Sequence, residues 1–371
     1  MMKKIGIGFV GCGASQSMYG PALRYLDEGQ AVAWVDVELQ KAQDASTRYG
    51  GKAFTDYDEF LKCPGLDAVV IVSPPWLHLT QADAAAKAGK HVLCEKPMGR
   101  TVDECRQMIE AVEGRGKILM IGFMKRFSPW FLKIKTMIDS GELGEVFHVS
   151  VDWSWPQYAL SGWRDKRENL GGLFFDHGSH TIDLCRWWLG EIETAYADVR
   201  ILLEGREVED FTQAIYKHQS GAISTHYNSR MTHRPLREAY LIEGSKATVT
   251  IECVGKWSFI SPEPFVIRKY VQNQEQPIAI DIPWSWDLDE YVKSTWMYLG
   301  SLRHFCEAMI SEKQPALCTG NDGLKSVEAI NAAYISAWKK QVITLPLNET
   351  YEPEKIFESF AVESPKIPIS R

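Results

Sequence analysis

Ile5-Gly6-Ile7-Gly8-Phe9-Val10-Gly11-Cys12-Gly13-Ala14-Ser15-Gln16 decides how the chain is read. The apolar run from Ile5 to Val10 has the character of a strand, followed by a tight turn and a helix start. Two glycine frames compete for the turn. Gly6-Ile7-Gly8-Phe9-Val10-Gly11 matches G-x-G-x-x-G literally, but it buries its glycines inside the strand with only Ile5 ahead of them. Gly11-Cys12-Gly13 has the strand before it and an amphipathic stretch around Ala22, Leu23 and Leu26 after it. In that frame Gly11 permits the turn, and Gly13 lets backbone N–H groups approach a pyrophosphate at a helix N-terminus. Gln16 stands where a third Gly or Ala is usual, which loosens the packing of helix on strand. Glycines of a plain turn are the competing reading of so degenerate a motif.

Reading outward, Ala31 to Val35 is a second strand ending at Asp36, 23 residues after Gly13. That is near the spacing of the acid that hydrogen-bonds an adenosine ribose. A carboxylate there repels a 2′-phosphate, and Val37-Glu38-Leu39 offers no arginine to hold one, so the pattern favours NAD over NADP. Asp36 also suits an N-cap for a helix over Leu39 to Tyr49. The apolar run Asp67 to Val72 predicts a central parallel strand. It stops at Ser73-Pro74-Pro75-Trp76-Leu77-His78, where two prolines end the ladder and Ser73 is expected to edge a nicotinamide. His78 reads as structural or, at most, close to the cofactor. A helix over Leu79 to Lys87 leads into Lys90-His91-Val92-Leu93-Cys94-Glu95-Lys96-Pro97, a short buried strand capped by a charged pair and a proline. Ligands of open parallel sheets bind beyond the carboxyl ends of the strands, which makes Lys96 the first catalytic candidate; a solvated charged turn is the plain alternative.

Strand and helix alternate from residue 5 to about 122, the pattern of a doubly wound α/β domain, here bounded at 1–123. From residue 124 to 371 the pattern changes to an α+β domain. Phe147, Val149, Val151, Trp153 and Trp155 alternate with polar residues, and further strand signals fall at 195–202, 211–217, 222–228, 239–242 and 247–252. Gln219-Ser220-Gly221 and Gly244-Ser245-Lys246 read as hairpin turns, so this sheet is expected to be large, open and mostly antiparallel. Helices are expected over 291–310 and 322–338, the latter capped by Asn321 or Asp322. The 371 residues exceed one ordinary core. A net charge of −7 supplies no basic footprint for nucleic acid, and no apolar run suffices to span a bilayer. Lys3 and Lys4 before a short glycine-interrupted run do not make a secretory leader. The eight cysteines show no paired spacing and read as reduced thiols of a cytoplasmic protein.

The segment Gly171-Gly172-Leu173-Phe174-Phe175-Asp176-His177-Gly178-Ser179-His180-Thr181-Ile182-Asp183 is the most informative part of the second domain. If helical from Asp176, it puts Asp176 and His180 on one face, an imidazole beside a carboxylate suited to accepting a hydroxyl proton. A helix cap with a satisfied core histidine is the plain alternative. His177, His180 and Cys185 form a poor metal set because no fourth ligand has a suitable spacing, so no metal is expected.

Taken together, the Gly11-Cys12-Gly13 turn, Asp36, the Ser73 to His78 segment, Lys90 to Pro97, Arg126-Phe127, and Gly171-Gly172 through Asp176, His180 and Asp183 resemble the glucose-fructose oxidoreductase, inositol dehydrogenase and MocA-like family of sugar and polyol oxidoreductases. The resemblance spans nearly the whole chain; only Gln16 departs. It implies a catalytic trio of Lys96, Asp176 and His180, with His180 as base and Lys96 hydrogen-bonding the reacting oxygen. The cofactor set it implies comprises Gly11, Cys12, Gly13, Ser15, Gln16, Asp36, Ser73, Pro74, His78, Glu95, Lys96 and Arg126. Arg164, Trp163, Trp153 and Tyr158 join the trio as substrate-binding residues, although the alternating tryptophans suit a core equally well. The activity implied is NAD-dependent oxidation of a secondary ring hydroxyl of a sugar, glycoside or cyclic polyol. An NAD-retaining glycosidase working by transient oxidation and elimination is the second reading, and a dinucleotide-sensing binding protein the third. A homo-oligomer, dimer or tetramer, assembled through the second sheet is also expected, with no nucleic-acid or membrane partner.

Overall fold

Gly6 and Gly8 explain why the first strand packs as it does. In a computed structural model describing residues 4–13, 17–156, 162–169, 171–256, 258, 265–282, 290–348 and 351–367, both lie inside β1 (Ile5–Val10). A Cβ on Gly6 would sit 1.7 Å from the Gly65 carbonyl oxygen, and one on Gly8 would sit 2.5 Å from the Phe60 ring. The literal glycine motif is therefore a packing device, and the turn begins at Gly11, φ +87°.

Around β1 the first unit builds a six-stranded parallel sheet in the order β3-β2-β1-β4-β5-β6. Its other strands are β2 (Gly29–Val35), β3 (Lys52–Phe54), β4 (Ala68–Ile71), β5 (His91–Cys94) and β6 (Leu119–Ile121). The crossover helices are α1 (Leu39–Tyr49), α2 (Tyr57–Leu61), α3 (Pro75–Lys87) and α4 (Val102–Glu113). Strand β4 is wholly apolar and buried, and β5 is apolar and buried beyond its first residue, His91, as a sheet covered on both faces demands. Asp56 and Thr101 cap α2 and α4 through the N–H groups of Glu59 and Glu104. The stretch around Ala22, Leu23 and Leu26 forms a 3-10 turn, Pro21–Tyr25, instead of an amphipathic helix. Gly20-Pro21 and the approach of β2 at Gly29 leave no length for more.

The first unit runs from Met1 to Ser128 and takes back Asp287–Lys325; the second comprises Pro129–Trp286 and Ser326–Arg371. Packing explains the return. In the helix Glu290–Ser311, Tyr298 meets the Tyr19 ring at 5.0 Å, and Gly300 lies against Phe127, where a Cβ would come within 2.9 Å. Periodicity cannot register a helix that buries its face on turns 173 and 279 residues earlier.

The second unit is built on a nine-stranded sheet in the order β14-β13-β12-β11-β7-β10-β9-β8-β15. Its strands are β7 (Val146–Pro156), β8 (Ile192–Arg200), β9 (Phe211–His218), β10 (Ile223–Thr232), β11 (Arg237–Gly244), β12 (Ala247–Val254), β13 (Val266–Val271), β14 (Ile278–Ile280) and β15 (Ile343–Thr344). All pairings are antiparallel except β7 with β10, which is parallel. The helices are α5 (Pro129–Asp139), α6 (Ser179–Leu189), α7 (Glu290–Ser311, in the first unit), α8 (Gly320–Lys339) and α9 (Pro353–Glu363). Two apolar clusters cover one sheet face, one including Phe174, Tyr216 and Tyr334, the other Phe131, Trp188 and Tyr240. Strands β13, β14 and β15 and helix α9 escaped the sequence reading because they are short or weakly periodic. The cap of α8 is Thr319, not Asn321 or Asp322: its Oγ1 accepts the Asp322 N–H at 3.1 Å, and Asp322 Oδ2 accepts the Thr319 N–H at 2.9 Å. All eight cysteines are free and buried. No described helix is long and apolar enough to cross a membrane.

Candidate functional site

In the first unit, β1 pairs with β2 on one side and β4 on the other, so the chain reverses its winding at β1. Such a reversal leaves a crevice beyond the carboxyl ends of the strands. A Cβ on Gly11 would come within 3.1 Å of Ser73 N and of the Val72 carbonyl, so only glycine lets the two loops meet. A Cβ on Gly13 would meet nothing within 4 Å among the described residues, leaving that edge of the turn open to close approach. Asp36 braces the turn: Oδ2 accepts the Cys12 N–H at 2.7 Å and Oδ1 the Glu38 N–H at 2.9 Å. The cap position of α1 belongs to Glu38, so Asp36 makes an Asx turn before the helix instead of capping it. Carboxylate oxygens have further lone pairs, so Asp36 retains capacity for ribose hydroxyls. Cys12 contributes backbone only; its thiol is 1 % exposed, faces the Val35 carbonyl and is pushed by burial up to about 12. These features fit a dinucleotide. Ser15 and Gln16 lie outside the described residues.

The loops after β4 and β5 are tied by His78, which is 1 % exposed. Its Nε2 lies 2.8 Å from Ser73 O, and its Nδ1 lies 3.0 Å from Pro97 O and 3.3 Å from Met98 O. Burial lowers its pKa against the pull of those carbonyls. His78 is a cross-brace, with backbone carbonyls of both loops on either side of its ring. Ser73 donates its hydroxyl to Gln81, and Pro74 precedes Pro75 at the first turn of α3. Beyond β5, Glu95 is 9 % exposed and held twice: Oε1 accepts from Tyr19 Oη at 2.6 Å, Oε2 from the Lys96 N–H at 3.1 Å. Gly122 closes over it, since a Cβ there would lie 2.7 Å from Oε1. Lys96, half-buried, follows directly from this fixed point. Arg126, 4 % exposed, pairs with Asp322 at 3.0 Å and lies over the Phe123 ring. Sequence reasoning missed Tyr19 and Tyr298 and took Asp322 only for a helix cap; the last two arrive on the returning segment.

In the second unit, Asp176 sits on a π turn, Phe174–Gly178, that runs into α6. Such wide turns recur at functional sites. The spacing of Asp176 and His180 was read on α-helical geometry, which this turn replaces. Asp176, 4 % exposed, accepts from Arg164 Nε at 2.7 Å, with His177 Nδ1 3.8 Å away. His180, 5 % exposed, lies beside Trp153 with ring centroids 6.3 Å apart, while His177 meets Trp153 and Trp155 edge-on at 4.8 and 4.9 Å. Trp153 is 1 % exposed and clusters with Trp155 and Leu173. Its ring walls the two histidines. Tyr158 and the side chain of Trp163 lie outside the described residues. Also unforeseen is Glu209, fully buried, whose Oε1 accepts the Phe174 N–H and the Tyr334 hydroxyl, each at 2.8 Å.

Comparison with known proteins follows the same division. Residues 5–123 match the family model described as oxidoreductase family, NAD-binding Rossmann fold, and residues 131–250 match the GFO/IDH/MocA C-terminal domain. The myo-inositol 2-dehydrogenase of Thermotoga maritima is 27% identical over 345 residues, covering 91% of this chain and 98% of that protein. An uncharacterized oxidoreductase of Rhizobium meliloti, ORF334, is 35% identical over 234 residues, 62% of this chain and 69% of its own length. Among solved structures, the aldose-aldose oxidoreductase of Caulobacter crescentus complexed with glycerol has a TM-score of 0.81 at 25% identity, covering 92% of this chain and 100% of that one.

Proposed function

The chain belongs to the GFO/IDH/MocA family of oxidoreductases and carries its NAD-binding Rossmann domain, and from that premise we propose that it oxidises a secondary ring hydroxyl of a sugar, glycoside or cyclic polyol to the ketone, reversibly. The observation that carries this reading is Lys96, half-buried at the carboxyl end of β5 and anchored through its own N–H to the buried Glu95. The inositol and aldose oxidoreductases among its relatives support polyhydroxylated substrates as a class. Asp36 supports NAD over NADP, because a carboxylate at that position repels a 2′-phosphate.

Bound NAD supplies the hydride acceptor. The Lys96 ammonium donates a hydrogen bond to the reacting oxygen and stabilises the negative charge that builds there. The His180 imidazole takes the hydroxyl proton, and returns it when the ketone is reduced. Asp176, aligned by Arg164, orients the neighbouring hydroxyls.

Purified protein mixed with NAD or NADP and a panel of inositols, hexoses, pentoses and glycosides, followed by absorbance of the reduced cofactor, tests the reading. Reduced cofactor is expected to accumulate one for one with product; glycoside cleavage without net reduction favours the glycosidase instead. Lys96→Ala is expected to lower kcat by about 100- to 1000-fold, the scale of losing one oxyanion donor, with NADH binding retained. A Lys96→Ala protein with undiminished turnover refutes the assignment.

The sheet face away from the two apolar clusters exposes Tyr196, Ile215, Ile223, Val254, Val266 and Tyr270. An apolar face of this kind suits self-association. The reading includes a homo-oligomer through it, and a monomer in light scattering at micromolar concentration removes that part.

A further inference from the structure

We infer that Glu209 is a positioning residue: from the entrance of β9 it holds the first N–H of the π turn that carries Asp176 and leads into His180, and so fixes the orientation of both. The inference rests on the roles proposed above for those two residues. Glu209 precedes Phe211, where β9 begins, and is 0 % exposed. One of its oxygens is shared between the Phe174 N–H and the Tyr334 hydroxyl, joining the start of the turn to α8. The other, Oε2, lies where Gly172 would carry a Cβ, at 2.1 Å. Gly172 has φ +130°, a conformation that glycine alone adopts readily. The carboxylate therefore occupies the space beneath the Gly171-Gly172 step and sets how closely the turn approaches the sheet. Two backbone bonds carry that constraint to the site: the Gly172 N–H donates to Arg164 O at 2.9 Å, and the Asp176 N–H donates to Gly172 O at 3.2 Å. Arg164 in turn grips Asp176. A carboxylate at the N-terminal end of this helical run also faces the positive end of its dipole.

The charge of Glu209 is poised. Burial raises its pKa to about 7, opposed by the Tyr334 and Phe174 hydrogen bonds and by Arg230 on β10. The groups facing it are the phenols of Tyr334 and Tyr351 and the Arg230 guanidinium, which is itself paired with Asp165, the partner of Arg206. Across neutrality Glu209 thus passes from a neutral acid to a carboxylate that grips the turn more strongly.

Hydrogen exchange of the 174–189 segment, NADH fluorescence titration and steady-state kinetics, each run on wild type, Glu209→Leu, Glu209→Gln and Tyr334→Phe, decide the matter. Glu209→Leu is expected to lose at least tenfold of the exchange protection at the start of the segment and at least tenfold in kcat, with NADH affinity within twofold of wild type. Glu209→Gln, which keeps an acceptor for Phe174 but never ionises, is expected to restore both to the level the wild type shows below pH 7 and to remove the further rise in kcat that ionisation of Glu209 brings above it. Equal protection in wild type and Glu209→Leu overturns the inference, as does a Gln variant no better than Leu. Should the Leu variant not fold, Tyr334→Phe takes its place: it is expected to weaken protection of the same amides, and unchanged protection there refutes the inference. If the wild type turns over no hydroxylated substrate, the proposed function fails while the exchange measurements still decide this point.

Discussion

The buried histidine chain beside the proposed base gives a sharp stability prediction. His218 Nδ1 lies 2.7 Å from Gly190 O, so it carries a proton and donates; Ser224 Oγ bridges His218 Nε2 at 2.9 Å and His226 Nε2 at 3.3 Å; His226 Nδ1 lies 3.1 Å from the Thr181 hydroxyl. Thr181 follows His180 on α6, so this neutral chain seats the helix that bears the base. His226 is 0 % exposed, and burial, reinforced by His218, lowers its pKa from 6.5 to about 3. The unfolded chain protonates this residue near 6.5 and the folded chain only near 3, so the unfolded state binds more protons between those values. Stability is therefore complete above 6.5 and is lost as the pH falls through that window. At about 1.4 kcal/mol per tenfold change in proton affinity, the full effect is on the order of 5 kcal/mol. Urea denaturation of wild type and His226→Gln from pH 8 down to pH 4 isolates it, because Gln cannot take the proton and every other group titrates in both proteins. The stability difference between them is expected to shift against the wild type by about 1.4 kcal/mol for each pH unit below 6.5. A difference independent of pH refutes the reasoning.

The remaining predictions concern the first unit. Asp36→Ser is expected to narrow the preference for NAD over NADP at least tenfold, since it removes the carboxylate that excludes a 2′-phosphate; ratios of kcat/KM for the two cofactors report it, and an unchanged ratio counts against the role of Asp36. Gly122→Ala places a methyl 2.7 to 3.0 Å from all three carboxylate atoms of Glu95, which Tyr19 and the Lys96 N–H hold in place. Overpacking of this kind costs about 1–3 kcal/mol. Thermal denaturation should show the loss and kcat should fall with it, because Glu95 cannot move without Lys96; a variant matching wild type in both shows that Glu95 is not held as described.

What the sequence determined by itself is whatever short-range chemistry specifies. A glycine with positive φ after an apolar strand, an acid at the end of the next strand, and Glu95-Lys96-Pro97 closing a third are each legible within a dozen residues, because backbone sterics and hydrophobic period act locally. The rejection of Gly6 and Gly8 as the phosphate turn belongs here too, although the reason they are glycines emerged only from Gly65 and Phe60 packed against them. Tertiary structure alone decided the rest. The helix Glu290–Ser311 rejoins the first unit because its apolar side matches turns formed long before it. His78 became a brace because three carbonyls from two loops surround it. Arg164 met Asp176, and Glu209 met Phe174, across separations that no period encodes. Burying a polar group is tolerable only where a partner waits, and in this chain the partners of the buried acids come from distant segments that folding brings to them.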